Sequence, residues 1–356
     1  MFLFRSKKVY LTRPFSVPPK VRDMTTGNLY NSLGDPTPNP SRREGRGKEK
    51  ENIPDAENAE ISCFLICMCF NRRMRSYIDA HVHIQPWEMM KPQILERMRR
   101  SRTDLDLIEQ VMKSPAAFLR HMDFEGVERA ALINYVSPSI MGFTYEVNEY
   151  VSDYCKENRE RLIGFGSIDM SMRTGQEKKI DELLDRLRLA GIKVHPSHQE
   201  VFPNEYRNGH QSLQHLYRRC EENGIPVMFH TGTSIFQGAR NRYADPIYVD
   251  DVAVDFPKLK IIMAHGGRPI WMETCVFLVR RFPNVYMDVS SIPPSRVPDY
   301  FPRLEQIADK VLFGTDWPAP MVPGMRDNFE EFCKIDITAE AMEKITRTNA
   351  LKLFAT

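Results

Sequence analysis

The sequence contains no apolar run near the ~20 residues that a membrane-crossing helix requires, so no transmembrane segment is expected. Its seven cysteines are odd in number and lack the spacing of a disulfide framework, which points to a reducing compartment. Cys63, Cys67 and Cys69 cluster in ISCFLICMCF. A C-x3-C-x-C run with no second half falls short of four zinc ligands, so apolar packing or lipid contact is expected there instead. A basic excess is missing from most of the chain: residues 1–76 hold 14 Lys/Arg against 8 Asp/Glu, and the other 280 hold 35 against 39. That slightly acidic balance argues against nucleic-acid binding and for a small-molecule substrate. No G-x-G-x-x-G or P-loop follows a strand, so Gly266-Gly267 reads as a tight turn or a close backbone approach.

What is present changes character near residue 74. Before it come the run Pro36, Pro38, Pro40, the charge block SRREGRGKEKE and no sustained hydrophobic period, so residues 1–73 are expected to form a disordered extension. Residues 1–22 carry six basic and no acidic residues, as a mitochondrial transit peptide would. Met74 would serve equally well as an initiator for a cytoplasmic protein, and residues 74–356 are expected to form the folded domain.

From Tyr77 onward, short β-branched or apolar runs alternate with amphipathic stretches, the pattern of a parallel sheet built from βα units. Eight runs can be counted: 77–81, 129–136, 162–168, 191–195, 225–230, 259–265, 284–290 and 310–316. Between them lie helical patterns such as GQEKKIDELLDRLRLAG, whose Ile180, Leu183, Leu184 and Leu187 share one face. Eight strands with their helices in about 280 residues predict an α/β fold, a (β/α)8 TIM barrel. The stretch 88–124 exceeds a simple connection and is expected to form helices over the barrel mouth.

A TIM barrel carries its active site at the C-terminal ends of its strands. His81 and His83 end run one, His195 run four, His230 run five, His265 run six and Asp316 run eight. In a strand, alternate side chains point the same way, so His81 and His83 can reach one ion. With His230 and Asp316 they form a set of three imidazoles and one carboxylate. Such a set suits Zn²⁺, with Mn²⁺ and Fe²⁺ as alternatives.

DAHVH, GIKVHPSH, PVMFHTG, IIMAHGG and VLFGTDWP, in this order over residues 77–354, resemble the strand-end motifs of the amidohydrolase superfamily. The closer likeness is to the amidohydrolase-related branch that contains aminocarboxymuconate-semialdehyde decarboxylase. The resemblance implies that His81, His83, His230 and Asp316 hold one divalent metal, with a water completing the site, and that His265 is the acid/base, with Asp316 sharing its proton. Lys193 stands where binuclear superfamily members carry a carboxylated lysine bridging two metals. One metal is the preferred reading.

Arg268 is a candidate for binding a substrate carboxylate, or else an ion-pair partner of an acidic loop residue. His195 and His198 are candidates for substrate contact, His195 also for supporting a ligand. Trp87, Trp271 and Trp317 either line an aromatic pocket or serve as packing, and Asp316 could also cap a helix. His121, His210 and His215 fall in helical stretches and read as structural or surface residues. The first functional expectation is hydrolysis of a small, carboxylated substrate by metal-activated water at a carbonyl. The alternative is non-oxidative decarboxylation of an unsaturated or aromatic acid, and a more remote one is a catalytically silent ligand-binding barrel. A homodimer is compatible with the family.

Overall fold

The computed structural model describes residues 76–355, so the extension expected over residues 1–73 lies outside the described residues. Eight strands run in chain order around one sheet: β1 (Tyr77–Val82), β2 (Val127–Ile133), β3 (Leu162–Gly166), β4 (Gly191–Val194), β5 (Val227–His230), β6 (Ile261–Ala264), β7 (Val285–Asp288) and β8 (Val311–Leu312). Every neighbouring pair is parallel. The ends of the sheet meet where the Ala80 N–H donates to the Phe313 carbonyl (3.0 Å) and Val82 bridges Trp317. The fold is the expected TIM barrel.

Strand alternation divides the core into two layers. Ile78, Ala80, Ala131, Ile133, Ile163, Phe165, Met228 and Ile262 form one cluster, joined by Leu353 of the last helix and by Phe354 just after it. The alternate residues, among them Tyr77, Leu132, Ile192, Val194 and Met263, pack with the helices in the other, and Val82 joins them after the register shift between Asp79 and Val82. Most strands are buried along their whole length, which explains why they read as continuous apolar runs.

The regular ladder is shorter than the apolar runs suggested. β8 has two residues where 310–316 was expected, and β4 and β6 stop one residue before His195 and His265. Beyond the last ladder bond the backbone turns: His265 has φ +66° and Asp316 φ +70°. Left-handed backbone of this kind is costly for a residue with a Cβ and is tolerated mainly where surrounding bonds impose it. At Asp316 those bonds run from its N–H to the His81 carbonyl and from the Ala319 N–H to its own carbonyl, both 2.8 Å. No helix starts at Asp316, since the next one is Met325–Phe332, so the N-cap role is excluded.

The 88–124 stretch forms the helices expected of it, Pro92–Arg100, Leu105–Lys113 and Pro115–Glu125. The third begins at Ser114, whose hydroxyl accepts from the Ala117 N–H (3.2 Å), and ends at Gly126 with φ +83°, the usual start and stop chemistry. Arg102, in the turn between the first two, donates to the carbonyls of Ala319, Val322 and Pro323, which ties this segment to the loop after β8. No helix among the described residues is long and apolar enough to cross a membrane.

Candidate metal centre

The strand ends surround a cavity of about 360 Å³. Its ionisable wall consists of His83, Lys193, His195, His230, His265, Arg268 and Asp316, and its apolar and aromatic wall includes Trp87, Met90, Met98, Tyr135, Met141 and Phe236. Met90 and Met98 come from the 88–124 segment and Trp87 directly precedes it, so the long first connection builds part of the cavity.

The protonation of two imidazoles follows from their partners. His81 Nδ1 lies 2.9 Å from Asp288 Oδ2, and His83 Nδ1 lies 3.0 Å from the Ile133 carbonyl. Both partners are pure acceptors, so in the neutral ring each Nδ1 carries the proton and each Nε2 presents a lone pair. Those lone pairs face Asp316 Oδ1 at 3.5 and 3.0 Å. Three electron-pair donors converging in a buried site repel one another unless a cation lies among them. Among the described residues, His81 Nε2, His230 Nε2, Asp316 Oδ1 and Lys193 Nζ are buried without a hydrogen-bond partner. The ligand atoms of His81, His83 and Asp316 all lie within 4.8 Å of one another, which fits a divalent metal ion. His230 is outside that group, but its unpaired Nε2 borders the same cavity.

Burial favours the neutral form of His81 and His230, the form in which histidine binds metal. It pushes the pKa of His81 below its ordinary value, with the Lys193 charge adding to the effect. Burial, then Lys193 and Arg268, place His230 well below. Lys193 itself is pushed down to about 8 by burial, against the pull of Asp288 and Asp316.

Asp288 is a site residue that the motif reading passed over. Besides His81 it accepts from the His265 N–H (2.9 Å), the Ser290 N–H (3.0 Å) and the Ser290 hydroxyl (2.5 Å). Since the Ser290 hydroxyl donates to Asp288, its oxygen accepts from His265 Nδ1 (2.8 Å), which leaves a lone pair on His265 Nε2. The available signal was an acid closing strand seven, MDVS. Asp79 was also missed: it accepts from the His81 N–H (3.1 Å), the Thr315 N–H (3.0 Å) and the Thr315 hydroxyl (2.6 Å), joining β1 to the turn that carries Asp316.

The remaining candidates separate. His195 lines the cavity and stacks on His230 at 4.0 Å, while His198 stacks behind it at 3.6 Å, bonds Ser137 and Ser234 and stays out of the lining. Arg268 lines the cavity, and its Nε and Nη1 donate to the Ser291 and Thr233 carbonyls (both 3.1 Å); the alternative ion pair with an acidic residue is not formed among the described residues. Trp87 is in the wall. Trp317 is not: it is buried against Phe118 and His121, where it serves as packing. Trp271 is likewise outside the lining. His121 and His215 lie in helices, and buried His210 accepts from the Leu213 N–H as a helix cap, a structural role.

The family model for amidohydrolases (Amidohydro_2) matches residues 78–356. No curated protein sequence matches significantly. Among solved structures, an uncharacterised TIM-barrel protein from Bordetella bronchiseptica is 26% identical, with a TM-score of 0.64 over 79% of this chain and 99% of that one. A 2,6-dihydroxybenzoate decarboxylase from Rhizobium is 16% identical (TM-score 0.54, 79% and 99% covered). A 5-carboxyvanillate decarboxylase from Novosphingobium aromaticivorans, complexed with manganese and 4-hydroxy-3-methoxy-5-nitrobenzoic acid, is also 16% identical (TM-score 0.53, 80% and 97% covered).

Proposed function

The chain belongs to the amidohydrolase family of metal-dependent enzymes, and from that premise we propose that it is a non-oxidative decarboxylase of a small aromatic or otherwise unsaturated carboxylic acid. The observation that carries this reading is Arg268. Two backbone carbonyls hold its guanidinium in the cavity wall, and among the described residues no carboxylate pairs with it and Nη2 has no partner. A fixed guanidinium fork of this kind suits a substrate carboxylate. The flat, apolar wall of Trp87, Tyr135 and Phe236 suits an unsaturated carbon frame. The decarboxylases among the similar structures, one complexed with a nitrobenzoic acid, support the same class.

His81, His83, His230 and Asp316 would hold the metal, and Zn²⁺ and Mn²⁺ both suit these donors. When bound, the ion supplies positive charge that anchors substrate oxygen atoms. Arg268 orients the carboxylate that departs. The bond from the frame carbon to the carboxylate carbon breaks, CO₂ leaves, and the electron pair stays on the frame carbon, which takes up one proton from solvent. His265 relays that proton through Nε2 while its Nδ1–H stays on Ser290, with the Asp288 charge behind Ser290. Burial, followed by the Arg268 charge, sets the pKa of His265 well below the ordinary value, which makes its imidazolium a strong donor.

One observation favours hydrolysis as a second reading: the free lone pair on His265 Nε2 is the form a general base needs to take a proton from water. Metal-reconstituted protein offered aromatic and unsaturated acids alongside esters, lactones and amides separates the two. The proposal expects CO₂ release, and a kcat/KM for Arg268→Lys lower by about 10–100-fold, the worth of a charge-assisted pair. Turnover of an ester, lactone or amide with no CO₂ from any acid would refute it.

A further inference from the structure

Lys193 has no assigned task in this chemistry, yet its placement is costly. It lies in β4, opposite Met228 of β5. Its neighbours Ile192 and Val194 belong to the helix-facing cluster, and strand alternation sends Lys193 to the opposite face with His195, into the cavity wall. The side chain is 1% exposed, and Nζ has neither a hydrogen bond nor an ion-pair partner among the described residues. An unpartnered buried ammonium is strongly unfavourable unless a ligand supplies the missing charge.

The charges around it show which ligand would do so. The cavity wall carries one carboxylate, Asp316, against two cations, Lys193 and Arg268, before any divalent ion is added. Asp288 also pulls on the Lys193 charge, but it forms no ion pair with Nζ, because its oxygens are taken by His81, Ser290 and the His265 backbone. A substrate with one carboxylate would satisfy Arg268 and leave Lys193 buried and unpaired.

We infer that Lys193 is a second anion-binding residue of this cavity, and that the substrate is a small planar acid carrying two anionic groups, one for Arg268 and one for Lys193. The inference rests on the reading of the cavity as a carboxylic-acid site and narrows its substrate class. It also assigns Lys193 a free amine rather than a carboxylated, metal-bridging one.

Calorimetric titration of the Mn²⁺-loaded full chain with benzoate and with isophthalate tests this without turnover. Isophthalate should bind ten- to a hundredfold more tightly, the worth of one charge-assisted hydrogen bond. In Lys193→Met that preference should vanish while benzoate affinity changes less than twofold, and Lys193→Gln should behave alike. Equal binding of the two acids by the wild type, binding of neither, or a preference that survives both substitutions would overturn the inference. So would an intact mass raised by one CO₂ together with two metal equivalents. CO₂ release from monoacids without a diacid preference would leave the decarboxylase reading standing and remove this one. A diacid preference with no CO₂ from any acid would do the reverse.

Discussion

Replacing Lys193 with methionine should make the metal-free protein more stable. Burial pushes the ammonium from an ordinary 10.5 to about 8, so at pH 7 the fold holds the charged form at a disadvantage. Each tenfold change in proton affinity is worth about 1.4 kcal/mol, which puts that disadvantage at roughly 3 kcal/mol. Methionine has nearly the length of lysine and no charge, so the variant should recover most of this.

The pH dependence identifies the cause. Below about 8 both the folded and unfolded wild-type chains hold the proton and the full cost is present. Between about 8 and 10.5 the unfolded chain binds a proton that the folded chain has released, so wild-type stability rises with pH. Above 10.5 both forms are neutral and the cost is gone. Urea denaturation of the two proteins, followed by far-ultraviolet circular dichroism, should show a gap of roughly 3 kcal/mol at pH 7 that narrows towards pH 10. A gap that does not change with pH, or a variant less stable than wild type at pH 7, would refute the reasoning.

Three further outcomes are expected. Asp288→Asn keeps the shape but loses the charge facing His81, so metal affinity should fall about 10–100-fold by metal-buffered titration. His265→Asn should lower turnover by at least about 100-fold while metal content stays near that of wild type, whereas loss of about half the metal would reveal a second ion. In Gly314→Ala the new Cβ would sit 2.8 Å from His81 Cβ, so the variant should lose about 1–3 kcal/mol in urea denaturation and bind metal more weakly.

The local pattern carried much of this protein. Strands buried on both faces read as apolar runs, and the alternation of those runs with one-sided helices leaves few architectures other than the barrel. The two-residue repeat of a strand placed His81 with His83, because which residues share a face is a property of local backbone geometry. The ends of the apolar runs also pointed to the polar residues at the cavity, although the regular ladder stops before several of them.

Tertiary structure decided what those residues do there. His81 and Asp288 are 207 positions apart and meet only because the barrel closes, so no local pattern could show that this carboxylate sets the protonation of the metal-facing ring. Trp87 and Trp317 both follow strands. The first lines the cavity and the second packs against Phe118, because the backbone leaves the ladder differently at each mouth position. The turn at Asp316 is held by the His81 carbonyl, a partner supplied by β1. Lys193 reads from its motif only as a possible bridge between two metals, and it is the closed sheet that shows it removed from water with no partner among the described residues. Sequence determines faces and order through short-range geometry, while charge balance and proton positions depend on which distant groups closure brings within about 3 Å of one another.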